Sequence, residues 1–300
     1  MFISSAYSFS SSAQAINDLS EQKLTGKVKS LTEYSYEVKK IHGKQQNVLI
    51  GKNGYNYNEQ GNKSIEYTYN PDGTLDAKSV FIYDEKGILI EEDSYNPDGS
   101  SGFTNTYKYD RRGNITSIKL YDTYGSLFVR TASDYDNNNN ETEEINYTQI
   151  LENDRHKDIV LNKTTWRYDD KGNMIEERYY ERDTTMTRHT FYKYDENGNK
   201  VEQSKWESGI TLKTTYKYNS DGNPIEETQY DAGNYIALKI ITTYDDKGNE
   251  TQERFYDRDN NLQTQTIFQL SYDKNGNWIR KTQLDNDKII VITVREIAYY

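Results

Sequence analysis

The sequence predicts an all-β repeat protein, an elongated and coiled antiparallel sheet built from about nine β-hairpin units of about 26 residues each. Two observations carry this. An aromatic-x-Tyr-Asp/Asn-x-x-Gly-Asn motif recurs nine times. A second Tyr-plus-turn motif follows each copy at a constant spacing, as from Tyr57 to Tyr69 and from Tyr83 to Tyr95. A third observation limits the alternatives. The chain of 300 residues is 33% hydrophobic with mean hydropathy −1.05, yet it holds 29 Tyr and only 3 Pro and no Cys. Phenols supply apolar area and keep a polar tip, which suits a thin sheet with wet surfaces.

The first motif reads YNYNEQGN at 55–62, FIYDEKGI at 81–88, YKYDRRGN at 107–114 and SDYDNNNN at 133–140. It continues as WRYDDKGN (166–173), YKYDENGN (192–199), YKYNSDGN (216–223), TTYDDKGN (242–249) and LSYDKNGN (270–277). Asp or Asn first and Gly fourth is the signature of a type I turn closed by a left-handed residue, here the YD turn. The second motif is clearest as YNPDGTL at 69–75, YNPDGS at 95–100 and YDRDNNL at 256–262. Between turns run β-branched and aromatic segments such as MIEERYY (174–180) and TLKTTYKY (211–218). Two turns and two strands make one hairpin per repeat. All length variation falls after the second motif, so insertions should project from one edge of the sheet.

The ends and the insertions follow from the same spacing. GKVKSLTEY opens the array as a half-repeat, and 26–50 reads as an opening cap with a long loop over Lys39–Lys52. Repeats occupy 55–284, and IIVITVREIAYY within 285–300 reads as a closing cap. Residues 148–165 read as a loop insertion whose removal, over 150–159, should leave the fold intact. Residues 21–300 are therefore expected to form a single domain, with 1–20 outside it. Ala13-Gln14-Ala15 fits a signal-peptidase site, so 1–20 is expected to be an export-signal remnant or an unstructured terminus. About twenty strands at roughly 4.8 Å spacing would span about 90–100 Å if laid out flat. Such a sheet must twist and curl. A β-propeller of roughly five blades is the alternative architecture. In the repeats, Glu91-Glu92, Glu176-Glu177 and Glu226-Glu227 should pair across strands with Lys108, Arg167, Lys193 and Lys217.

Nine such motifs over residues 26–300 resemble those of bacterial YD-repeat, or RHS-repeat, proteins, especially the short secreted type without a toxin domain. The resemblance implies hairpins in a continuous sheet, an exported or surface location, and binding of carbohydrate or protein. It implies no catalysis. Large family members form a shell around a toxin, but this chain has too few repeats for that, and with repeats running to residue 300 no toxin segment is expected.

Composition excludes several chemistries. With no Cys there is no disulfide, thiol catalysis or iron–sulfur cluster. Net charge −11 without a basic run argues against nucleic acid as a partner. No apolar run approaches the roughly 18 residues of a transmembrane helix. His42 and His156 are expected in loops and His189 in a strand, with no metal-ligand spacing among them. No metal or cofactor site is expected, nor any catalytic residue. The Asp/Asn-Gly turns lack the terminal Glu of a calcium loop. Trp166 and Trp206 replace Tyr in the aromatic ladder and are the candidate ligand-stacking residues, with Trp278 in the closing unit. The expected function is a non-enzymatic, exported binding scaffold for polysaccharide or protein at the cell envelope or surface. An interaction or immunity-type partner in a toxin system is the alternative.

Overall fold

The computed structural model describes residues 17–152, 155–182 and 184–300. The export-signal residues at 1–15 lie outside this range. A four-residue helix, α1 (Asp18–Glu21), precedes twenty strands. The strands are β1 (Val28–Ile41), β2 (Lys44–Tyr57), β3 (Lys63–Tyr69), β4 (Leu75–Tyr83) and β5 (Leu89–Tyr95). Next come β6 (Ser101–Tyr109), β7 (Ile115–Tyr121), β8 (Leu127–Tyr135), β9 (Glu141–Glu152) and β10 (Arg155–Tyr168). The second half holds β11 (Met174–Glu181), β12 (Thr185–Tyr194), β13 (Lys200–Glu207), β14 (Ile210–Tyr218) and β15 (Pro224–Tyr230). It ends with β16 (Ile236–Tyr244), β17 (Glu250–Tyr256), β18 (Leu262–Tyr272), β19 (Trp278–Asp285) and β20 (Lys288–Tyr299).

The all-β class and the hairpin per repeat hold, but the sheet is not an open coil, nor is it a propeller. Every strand pairs antiparallel with its neighbour in sequence, and β20 pairs with β1 from Val28↔Tyr299 to Glu37↔Val291. Twenty strands thus close into one barrel. The two segments read as separate caps are the two sides of a single seam. Closure satisfies both edges at once, which capping each edge separately would not. With strands about 4.8 Å apart and tilted about 40°, a round ring of this kind is about 40 Å across.

The turns explain why the repeat exists. In the YD turn at 84–88 the Gly87 amide donates to the Asp84 carbonyl at 3.0 Å, and the Asp84 amide to the Ile88 carbonyl at 2.9 Å. The Asp84 carboxylate also accepts from the amides of Lys86 and Ile88, both at 2.9 Å. Gly87 sits at φ +80°, where a Cβ is disfavoured. The copy at 133–140 lost its Gly, and Asn139 takes the same place at φ 67°. Asn tolerates that region, so the turn survives.

Strand direction sends all nine YD turns to one rim, together with α1 and the C-terminal Tyr300. The other rim carries every variable turn, as expected from the spacing. The insertions there are strands, not loops. β1–β2 and β9–β10 are hairpins of up to 14 residues per strand. His42 and Gly43 form the two-residue turn of the first, and His156 lies within β10. The fold also begins earlier than expected, because Leu19 of α1 is buried with Leu24, Val28, Leu31 and Tyr57. Asn17 caps α1 and donates to the Gln60 carbonyl at 2.6 Å.

Second-strand tyrosines staple one repeat to the next. The hydroxyl of Tyr83 donates to the Lys63 carbonyl, Tyr109 to Leu89 and Tyr194 to Met174, each at 2.7 Å. Tyr300 does the same across the seam, donating to the Tyr57 carbonyl at 2.6 Å.

Candidate functional site

The two faces of the wall differ in chemistry. One face carries both aromatics of each YD motif, such as Tyr107 with Tyr109 and Tyr192 with Tyr194. The other carries the residue between them. Burial is the largest cause of upward pKa shifts on the first face, at Tyr83, Tyr107 and Tyr109 and at Glu141 and Glu144. The Tyr109 hydroxyl is pushed up to about 12. On the second face the side chains of Lys193 and Lys217 stay 68% exposed. Lys23, beyond α1, shares a depression of about 330 Å³ with Pro224, Tyr244, Leu270 and Trp278, a reach that a concave wall allows. We therefore assign the first face to the lumen and the second to the outside.

The glutamate pairs straddle the wall. Glu66, Glu92, Glu144, Glu177, Glu227 and Glu253 hold the same place in their repeats, each on the strand after a YD turn, and point to the lumen. Their neighbours one position earlier point outward. There, Lys193 bonds Glu202 at 2.7 Å, Lys217 bonds Glu226 at 2.8 Å and Arg167 bonds Glu176 at 2.8 Å. The expected Lys108 pair does not form, because the register sets Lys108 against Ser117 and Glu91 against Ile82. Exposed pairs of this kind contribute little stability. Glu176 is different, being 3% exposed. It accepts from Arg178 Nη2 at 2.7 Å and lies 2.6 Å from His189 Nε2. Burial pushes its carboxyl up, but the hydrogen bonds from His189, Arg178 and Arg167 outweigh it and hold the group below its usual range.

The candidate tryptophans do not form one site. Trp166 shares the lumenal face with its partner Glu177, near the YD rim. Trp206 pairs with His189 on the outer face, near the variable rim. Side chains alternate along a strand, and the pairings set Trp166 opposite Glu177 but Trp206 opposite His189, which reaches Glu176 on the other face. Trp278 is already covered by the Arg295 guanidinium, 3.5 Å from its ring centre.

What the outer face does hold is a belt. Each second-motif tyrosine pairs with a residue of the preceding strand at a constant offset, as Tyr95 with Lys78 and Tyr230 with Lys213. At six repeats that residue is a cation. Lys52 sits over Tyr69 at 3.9 Å, Lys78 over Tyr95 at 5.4 Å and Arg130 over Tyr147 at 4.1 Å. Lys163 sits over Tyr180 at 5.3 Å, Lys213 over Tyr230 at 4.1 Å and Lys239 over Tyr256 at 5.4 Å. His189, the register partner of Trp206, holds the same place in the row. Successive positions of the row are two strands apart, about 10 Å along the wall, and between Lys52 and Lys239 two of them hold Thr104 and His189 in place of Lys or Arg. Across β10–β19 this face carries Lys163, Arg167, Arg178, Lys193, Lys213, Lys217, Lys239, Arg254 and Arg280 against Asp158, Glu176, Glu202 and Glu226, and Asp158 pairs with Arg130 at 2.9 Å. A chain of net charge −11 thus turns a basic, aromatic wall outward.

Among the described residues, no group of three or more His, Cys, Asp or Glu is placed to hold a metal ion. No helix among them is long and apolar enough to cross a membrane. Both faces carry charges in mid-strand, which an apolar lipid-facing band would not.

A family model described as "Uncharacterised protein" matches residues 153–240. A search of curated proteins finds no match. Among solved structures, the Tc holotoxin pore of Photorhabdus luminescens is similar at 13% identity and TM-score 0.30, over 81% of this chain and 17% of that one. The TcdB2-TccC3 crystal structure is similar at 11% identity and TM-score 0.31, over 84% and 17%. A porin-like protein from Bacteroides uniformis is similar at 10% identity and TM-score 0.38, over 91% and 99%. The chain therefore spans 17% of the length of the toxin chains it matches. At such scores the likenesses carry no functional argument.

Proposed function

We propose that the protein is an exported, non-enzymatic binding scaffold of the short YD-repeat type, and that its ligand is an acidic polysaccharide held along the outer wall. The observation that supports this is the belt. Aromatic rings fix the cations in place and offer faces on which sugar rings can stack. The row spacing of about 10 Å is close to the length of one disaccharide, so a polyuronate chain could set a carboxylate at each of Lys52 and Lys78, Arg130 and Lys163, and Lys213 and Lys239, passing over Thr104 and His189 between these pairs. Among the described residues Lys78 and Lys213 hold rings but no carboxylate, which leaves their charge available. Trp166 lies on the other face and takes no part in this reading.

Binding of the protein to polygalacturonate and to its neutral methyl ester tests the proposal. Saturable, salt-sensitive binding to the acid form alone is expected. It should weaken at least tenfold in a Lys78→Gln, Lys213→Gln, Lys239→Gln variant. Equal binding to both forms, or binding unchanged in that variant, contradicts it.

A further inference from the structure

We infer that the variable rim is a self-association surface on which a second copy of the chain docks rim to rim, a site distinct from the outer belt. Sixteen large hydrophobic residues are exposed among the described residues, and twelve of them lie at or near this rim. They include Phe103 at 47% and Phe128 at 54%, whose ring centres lie 6.1 Å apart, with Tyr124 at 91% and Leu151 at 67%. Leu212 and Leu262, on the far arc, are 49% and 51% exposed. The YD rim has no such crown. Twelve half-exposed side chains offer on the order of 1,000 Å² of apolar surface, comparable to the roughly 800 Å² per partner of a stable interface.

Shape and charge name the occupant. The β1–β2 hairpin stands above its neighbours, because residues 44–51 of β2 have no strand beyond β1 to pair with. Its free part is roughly 20 Å tall. β9–β10 is a second tall hairpin, and low arcs of short turns separate the two. The β1–β2 tip is basic. Among the described residues Lys40, His42 and Lys44 have no acidic partner there, and only Lys39 is paired, with Glu37 at 2.9 Å. The low arc between the hairpins is acidic, with Asp72, Asp98 and Asp122 and no basic turn residue. The hydroxyls of Thr74 and Ser100 hold Asp72 and Asp98 below the usual carboxylate range, so both stay charged. An inverted copy places each basic tip over the other copy's acidic arc, and the apolar crowns meet. Both contacts form twice, as a two-fold interface requires.

Light scattering on the full chain across the micromolar range tests this. A mass twice the 35.2 kDa monomer is expected. Phe128→Glu with Leu212→Glu should give monomers with unchanged circular dichroism. Lys40→Glu with Lys44→Glu should weaken the dimer at least tenfold at low salt. Mixing that variant with an Asp98→Lys, Asp122→Lys variant should restore a mixed dimer. A monomer throughout the range, or a dimer indifferent to both sets of changes, overturns the inference.

Discussion

Lys213 pairs with Tyr230 across β14 and β15 and holds its ammonium 4.1 Å from the centre of the phenol ring. The same pairing recurs two strands away at Lys239 and Tyr256, at 5.4 Å. A contact repeated this way is a property of the repeat. At an exposed site each is worth about 0.5–1 kcal/mol. We expect Lys213→Gln to lower unfolding stability by no more than about 1 kcal/mol, measured by urea titration. A larger loss would mean that the belt is there for stability, not for a ligand.

The seam should matter more than any single hairpin. Removing 288–300 deletes β20, exposes the edges of β1 and β19, and removes the Tyr300 staple. Loss of cooperative unfolding or aggregation is the expected outcome, measured by thermal denaturation with light scattering. Leu31, 1% exposed at the seam's foot, should cost about 2–5 kcal/mol on change to Ala.

Deleting 150–159 should do far less. It removes the free part of the β9–β10 hairpin, and Thr148 and Gln149 become a two-residue turn between the already paired Tyr147 and Val160. The β8–β9 and β10–β11 ladders remain. Unchanged far-ultraviolet circular dichroism and a small change in Tm are expected. A non-cooperative melt would show that the hairpin belongs to the core.

Titration should act with opposite signs on the two faces. Burial raises Glu144 on the lumenal face, so its folded form favours the proton. Its contribution is full below the unfolded carboxyl pKa and is lost as pH rises through the raised value. Glu144→Gln should therefore stabilise the protein at neutral pH. Glu176 is lowered, so its contribution is present above the unfolded value and lost as pH falls through the folded one. Glu176→Gln should destabilise at neutral pH and have little effect in acid. At the alkaline end, Tyr109 and Tyr168 move from 10.0 up to about 12. Their contribution is full below pH 10.0 and lost as pH rises through about 12, so phenolate absorbance should appear together with unfolding in that interval.

Turns, strand alternation and the direction of the insertions were legible in the sequence, because each depends on neighbours within one repeat. Asp84, Gly87 and Asn139 announce their turns by chemistry alone. Closure was not legible. It depends on Val28 meeting Tyr299 across the whole chain, and two apolar end strands read equally well as two caps. The extended hairpins were missed because KQQN and RHKD carry little β signal, and their pairing comes from the strands beneath them. The belt could have been found. The shared offset from Lys78 to Tyr95 and from Lys213 to Tyr230 is visible in the same arithmetic that revealed the repeat. Attention to Trp instead selected Trp166 and Trp206, which alternation places on opposite faces.

Closure of the ring underlies both the outward belt and the two rims, and a cross-link at the seam tests it most directly. Ser35 Oγ and Thr293 Oγ1 lie 3.3 Å apart across β1 and β20, and the chain has no native Cys to compete. A Ser35→Cys, Thr293→Cys variant should form an intramolecular disulfide on mild oxidation, as efficiently as a Thr131→Cys, Asn146→Cys control within the β8–β9 ladder. If the control forms and the seam pair stays reduced, the sheet is open and the account of an inside and an outside fails.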